Sequence, residues 1–129
     1  MVKPIVRDIF FLGQKSESST EADKQVAIDL QDTLAAHRAG CVGMAANMIG
    51  YKKRTIIVSM GIMDLVMHNP VIIKKTGPFE AEEGCLSLDG TRKTTRYQDI
   101  NFKEKVQKFS GFPAQIVQHE VDHLDGIII

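Results

Sequence analysis

Cysteine is scarce in this chain, which has only Cys41 and Cys85 among 129 residues. With no export signal in view, both thiols are expected to be reduced rather than bridged. Neither sign of charge is in excess, since sixteen Lys and Arg balance sixteen Asp and Glu. Proteins that grip nucleic acid through its phosphates usually carry a basic surplus, so no direct nucleic-acid partner is expected. Long hydrophobic runs are absent too. The most apolar stretch, residues 56–67, is broken by Ser59, Gly61 and Asp64, whereas a spanning helix needs roughly 20 apolar residues. Lys3, Pro4, Arg7 and Asp8 interrupt the first ten residues, so no signal-peptide core exists there. There is no internal repeat, low-complexity tract or linker. With 43% hydrophobic and 25% charged residues, the composition is that of an ordinary globular chain. The expectation is one domain over residues 1–129, cytoplasmic, with no membrane partner.

What is there reads as an α+β order. Residues 4–6 and 9–11 are apolar and extended, followed by a Ser-rich loop over 13–20. Thr20 with Asp23 three residues on resembles a capping box. A helix is expected over residues 21–38, because Val26, Leu30 and Leu34 recur every four residues. Gly40 is its expected stop. Short strands are expected over 54–59, 65–67, 71–75, 79–83, 93–97 and 100–106, with turns at Asn69-Pro70 and Thr76-Gly77-Pro78. A second helix should start at Pro113, run to Leu124 and stop at Gly126. Residues 127–129 are read as a last strand.

That second helix carries Gln118-His119-Glu120-Val121-Asp122-His123. His119 and His123 are four apart, so they stack on one helix face. Two imidazoles so placed can each bring a nitrogen to about 2.0–2.1 Å from one divalent ion. Glu120 lies about 100° around the helix from His119, so it stands next to the ion and can take a proton from a water there. Polar residues on a solvated face are the bland alternative, and the H-E-x-x-H mechanism outweighs it. Ile116, Val117, Val121 and Leu124 give the helix a buried side.

A catalytic site of this type needs a third protein ligand and an open position. One metalloprotease pattern continues H-E-x-x-H-x-x-G-x-x-H. Gly126 fits that pattern, but its last place is Ile129, which cannot bind metal, so that class is excluded. The ligand must come from elsewhere: His37, His68, Cys41, Cys85 or a carboxylate. His37 and His68 read as surface residues and Cys41 as core filling. Cys85 has the most informative surroundings, Glu82-Glu83-Gly84-Cys85-Leu86-Ser87-Leu88. Gly84 allows close backbone approach, and Glu83 could hydrogen-bond a ligand or water from behind. A thiolate with two imidazoles suits a borderline metal.

Glu83-Gly84-Cys85-Leu86-Ser87 together with Gln118-His119-Glu120-Val121-Asp122-His123 resembles the second and third motifs of the peptide deformylase family. The family's first motif, Gly-x-Gly-x-Ala-Ala-x-Gln, is matched in part by Cys41-Val42-Gly43-Met44-Ala45-Ala46-Asn47-Met48. The three lie in the family order over about residues 40–126. The resemblance implies a compact α+β fold with short antiparallel or mixed strands around the H-E-x-x-H helix, plus an N-terminal helix. It implies Cys85, His119 and His123 as metal ligands, Glu120 as general base and acid, and the Leu86 N–H as an oxyanion donor. It also implies removal of the formyl group from the N-terminal methionine of nascent bacterial peptides. The implied metal is iron(II), with zinc, nickel or cobalt as substitutes. Val42 and Gly43 correspond to backbone that pairs with an extended peptide, and Ile116 to the lining of a methionine pocket, with plain core packing as its alternative.

The family's oxyanion glutamine is replaced here by Met48, which has no N–H to donate, and the motif's opening glycine by Cys41. Hence the alternative reading: a deformylase-like protein with weak or different acyl-amide hydrolase activity, or a non-catalytic metal-binding homologue. Arg92 and Arg96 either pair with Glu83 or are solvated. The sequence stops three residues after Gly126, so ribosome contact through a C-terminal extension is not carried over. The expected partners are formyl-methionyl peptides, including nascent chains on ribosomes, with the protein as a monomer.

Overall fold

The protein is described by a computed structural model that covers residues 1–103 and 108–129. Its elements are helix α1 (Ile9–Leu12), a 3-10 turn (Glu21–Asp23) leading into α2 (Lys24–Ala36), strand β1 (Gly43–Ala45), a 3-10 turn (Ala46–Ile49), β2 (Thr55–Ser59), β3 (Asp64–His68), β4 (Ile72–Cys85), β5 (Leu88–Phe102), β6 (Lys108–Ser110) and α3 (Gly111–Leu124). The strands form two three-stranded sheets, β1-β2-β3 and β4-β5-β6, antiparallel throughout. The fold is α+β, as expected.

The capping box forms. Thr20 Oγ1 accepts from the Ala22 N–H, and Asp23 accepts from the Thr20 N–H at 2.8 Å. The chain leaves it through one 3-10 turn before α2 begins, and α2 stops at Ala36, two residues short of the expected end. Val26, Leu30 and Leu34 form its buried stripe. In β2, Thr55, Ile56, Ile57 and Val58 are all fully buried. The strand is central in its sheet and is touched by α2 and by α3. A continuous β-branched run, rather than alternation, is what burial on both faces requires.

Four expected strands merge into one long hairpin. β4 passes straight through Thr76-Gly77-Pro78, and its pairing with β5 holds register from Lys75↔Ile100 to Pro78↔Tyr97. Two facts permit this. β4 is an edge strand, so Pro78 need not donate to a neighbour on both sides. Gly77 takes φ +72°, and a Cβ there would stand 3.1 Å from Gln98 Cβ. The expected strand over 100–106 ends at Phe102, and residues 104–106 fall outside the described part of the chain.

Other expectations are corrected. Residues 9–12 are helical, not extended, because Asp8 caps them by accepting from the Phe10 N–H at 2.9 Å. Residues 127–129 form no strand. They leave α3 through Gly126 at φ +76°, the Ile127 N–H bonds Asp122 O at 3.0 Å, and Ile129 is buried. β1 and β6, three residues each, were not anticipated, since three residues show no period.

The C-terminal end of α3 is docked onto the N-terminal segment. Ser16 N–H donates to Leu124 O at 2.8 Å and Arg54 Nη1 to the same oxygen at 3.1 Å. A Cβ added at Gly126 would lie 2.6 Å from Gly13 O. Gly126→Ala therefore combines left-handed backbone strain with a main-chain clash. It should lower stability by about 2 kcal/mol or more, read as a reduced urea midpoint at unchanged m-value. A loss below roughly 0.5 kcal/mol would contradict this docking.

Candidate metal centre

α3 brings His119 and His123 one turn apart, with ring centroids 4.7 Å apart and planes at 82°. Their Nε2 atoms face each other at 3.0 Å. Cys85 enters from the end of β4, where the pairing with β5 shifts register between Gly84 and Cys85. Such an irregularity re-aims a side chain, and Cys85 Sγ lies 3.5 Å from His123 Nε2. The three donor atoms lie within 4.8 Å of one another, the one such cluster among the described residues. His37, His68 and Cys41 do not join it. Both cysteines are free thiols.

Strand alternation explains what stands behind the cluster. Glu83 and Cys85 share one face of β4, and Arg92, which pairs with Glu83, shares the matching face of β5 with Arg96, which pairs with Phe79. Glu83 Oε1 accepts from His119 Nδ1 at 2.8 Å. Its carboxylate also accepts from Arg96 Nη2 at 2.7 Å and Gln115 Nε2 at 2.8 Å. Arg96 is 3% exposed, and its Nη1 reaches Asp122 at 2.6 Å. Of the two arginines left open by the sequence, Arg96 is the one paired with Glu83, while Arg92 Nη1 donates to Asp89 O at 3.1 Å. Burial pushes the Glu83 carboxyl up, but hydrogen bonds from His119, Arg96 and Gln115 prevail and hold it at about 2. A carboxylate can only accept, so His119 carries its proton on Nδ1 and turns the Nε2 lone pair toward Cys85 and His123.

The donor set fits a cation. Burial opposes protonation of both rings. Cys85 and Glu83 nevertheless raise His119, whereas burial and the His119 charge depress His123. Three donors of the types that hold a borderline divalent ion converge within 4.8 Å, with the two Nε2 atoms facing each other.

Glu120 is 4% exposed, its Oε1 has no hydrogen-bond partner, and burial lifts its carboxyl to about 7. Gly43 makes room for it: a Cβ there would sit 2.6 Å from Ile116 Cγ2 and 3.0 Å from Glu120 Oε2. Ile116 packs behind Gly43 and is buried. A cleft of about 450 Å³ opens over Glu120 and His119, with residues 40–43 and Met48 on one wall and Cys85 and Leu86 on the other. Met48 is 2% exposed and its sulfur accepts from the Ala45 N–H at 3.4 Å. Cys41 donates its thiol to Gly43 O at 3.0 Å, and burial pushes that thiol up to about 11.

Sequence reasoning missed Gln115, Gln118 and Asp122. Gln118 is buried and holds the Tyr97 N–H and C=O at 2.9 and 2.8 Å, clamping α3 to β5. Gln115 and Asp122 stand four before and three after His119, so their place on its face was readable from helix spacing.

A convergent thiol and two imidazoles on an α+β scaffold, with a buried free carboxylate beside them, define a metallohydrolase. The comparisons narrow this. The polypeptide deformylase family model matches residues 7–129. The peptide deformylase of Clostridium beijerinckii is 57% identical over the whole of both chains. That of Desulforudis audaxviator is 37% identical over 97% of this chain and 84% of its own. Among solved structures, the class I type b peptide deformylase of Acinetobacter baumannii bound to actinonin superposes with a TM-score of 0.85 at 32% identity, covering 99% of this chain and 95% of that one. The same enzyme bound to Met-Ala-Ser gives 0.82 at 31%, covering 99% and 97%. The chain belongs to the peptide deformylase family. Its function is deformylation, hydrolysis of the N-formyl group from the N-terminal formyl-methionine of peptides, and it uses a divalent metal. The non-catalytic and other-acyl alternatives gain no support from these findings.

Arg96→Met would leave Glu83 and Asp122 buried without their cation. The metal-free protein should lose about 3 kcal/mol, measured by chemical denaturation, and Arg96→Lys should recover only part of it, because one ammonium cannot span both carboxylates. A loss below about 1 kcal/mol would show the pair to be solvated.

Proposed function

We propose that residues 1–129 act as one deformylase-like domain in which Cys85, His119 and His123 hold a single iron(II) ion, with zinc, nickel or cobalt able to replace it. The observation that carries this is the meeting of Cys85 Sγ and the two Nε2 atoms within 4.8 Å, with Glu83 fixing one ring from behind. When bound, the ion polarises the formyl carbonyl and acidifies an adjacent water.

The other steps belong to the chain. Glu120 offers an unpartnered Oε1 at the floor of the cleft. It takes the proton of the attacking water and delivers it to the leaving amine. The Leu86 N–H, beside Cys85, donates to the oxyanion. β1 has one neighbour, β2, among the described strands, and Val42 O is already taken by the Ser59 N–H at 2.8 Å. With Val42 O turned to β2, it is the main chain of Gly43 that faces the opposite edge, and an extended peptide lies along Val42 and Gly43 on that side. The methionine side chain of the substrate packs toward Ile116. Among the described residues no helix is long and apolar enough to cross a membrane. We place the protein in the cytoplasm as a monomer acting on nascent chains as they leave the ribosome.

Iron-loaded protein prepared without oxygen should release formate from a formyl-methionyl peptide. Glu120→Ala should lower turnover by about 10²-fold or more while the bound metal, by elemental analysis, stays at the wild-type level. Equal rates in the two proteins would overturn the role of Glu120. Met48→Gln should raise turnover, since one oxyanion donor is worth roughly 10²–10³ in other enzymes. An unchanged rate would mean that the Leu86 main chain suffices alone.

A further inference from the structure

We infer that Asn47 is a positioning residue for the metal site, acting through the main chain of His123. The inference rests on the reading of Cys85, His119 and His123 as ligands and goes beyond it.

A helix leaves its last carbonyls without intrahelical partners, and α3 carries His123 in its final turn. The partners can be traced one by one. Asp122 O receives the Ile127 N–H at 3.0 Å, and Leu124 O receives Ser16 and Arg54. His123 O receives the Gly126 N–H at 3.0 Å from the following turn. It also receives Asn47 Nδ2 at 2.9 Å, from a residue 76 positions earlier in the chain. Asn47 therefore ties the turn at Ala46–Ile49 to the exact residue of the helix that faces Cys85.

Two observations set this bond apart from ordinary packing. Asn47 is 1% exposed, and its Oδ1 finds no partner. A side chain needed only to fill space would leave no buried acceptor unsatisfied, so the amide is there for its N–H. Only that end can face a carbonyl. The two imidazoles are also held differently. The His119 ring is fixed through Nδ1 by Glu83 at 2.8 Å. His123 Nδ1 looks toward the Ile127 main chain but makes no hydrogen bond of normal geometry. Beyond its Nε2 contacts with Cys85 and His119, the His123 ring is placed by where its backbone is held, and Asn47 anchors that backbone from outside the helix and its own C-terminal turn. Asn47 is also the residue before Met48, so the turn that walls the cleft and the helix that bears the ligands are locked together.

The test titrates cobalt(II) into the metal-free full-length protein, following the visible absorption of the bound ion and its affinity by chelator competition. Wild type, Asn47→Leu and the isosteric Asn47→Asp are compared, with thermal unfolding of each metal-free protein measured separately. Asn47→Leu removes both the N–H and the unsatisfied oxygen. It should unfold near the wild-type temperature, bind cobalt about 10–100-fold more weakly and show an altered cobalt spectrum. With iron restored, kcat should fall while KM for a formyl-methionyl peptide stays within about twofold. Asn47→Asp, which has no N–H to donate at neutral pH, should show the same metal defect even if its unfolding temperature drops. Folded variants that bind cobalt with wild-type affinity and spectrum would overturn the inference, whatever their stability. A wild-type protein that takes up no cobalt would overturn the metal reading itself.

Discussion

Glu83 and Arg96 bury opposite charges where the β4–β5 hairpin meets α3, and the rest of the site depends on that contact. Taking both groups out of water is costly, and a buried ion pair gives little net stability on its own account. It persists here because every strong acceptor and donor is answered: Glu83 takes His119, Arg96 and Gln115, and Arg96 bridges on to Asp122. The result is direction rather than stability. The carboxylate stays ionised, so it dictates which nitrogen of His119 holds the proton. A neutral or solvated group at position 83 would leave that choice open. The hairpin that bears Cys85 is then fastened to the helix that bears the histidines by the same residue that orients one of them.

The legibility of this arrangement in the sequence followed the range of the interactions. Local patterns were readable. Thr20 with Asp23 marked a helix start, Gly126 marked the end of the last helix, which begins at Gly111, two residues before the expected Pro113, and His119 and His123 shared a face. Cys85 was singled out by its neighbours and its family resemblance. What depended on distant partners was not readable. Gly77 and Pro78 look like a turn, and they are crossed by a strand only because β5 runs beside them in register. Ile127, Ile128 and Ile129 have strand propensity, but strand formation needs a partner edge, and the chain there is committed to capping α3. Arg96 could not be told from Arg92 because both face inward from β5. Only the three-dimensional position of Asp122 gives Arg96 a second carboxylate.

Glycine at position 43 is similarly a consequence of tertiary structure. In β1 nothing local asks for it, since the strand geometry suits any residue. The demand comes from α3, whose Ile116 and Glu120 press against the strand so closely that a Cβ cannot be inserted. That closeness is what lets a buried carboxylate reach the cleft from a helix behind the sheet.

Met48 shows how a fold can keep its shape while altering its chemistry. Methionine and glutamine have side chains of equal length, and both can accept from the Ala45 N–H. The thioether does so at 3.4 Å, so the turn at Ala46–Ile49 keeps its internal partner. An amide in that place would accept with its oxygen and still have an N–H2 group for the cleft, whereas sulfur has nothing further to offer. The replacement therefore keeps the turn's internal contact and, in the reaction proposed above, leaves the centre one donor short. In the reaction proposed above, oxyanion stabilisation then falls on the main-chain N–H of Leu86. That group cannot be lost by substitution of a side chain, but it is only as well aimed as the hairpin that carries it. That places the weight of catalysis on the same hairpin-to-helix fastening at Glu83 that positions the ligands.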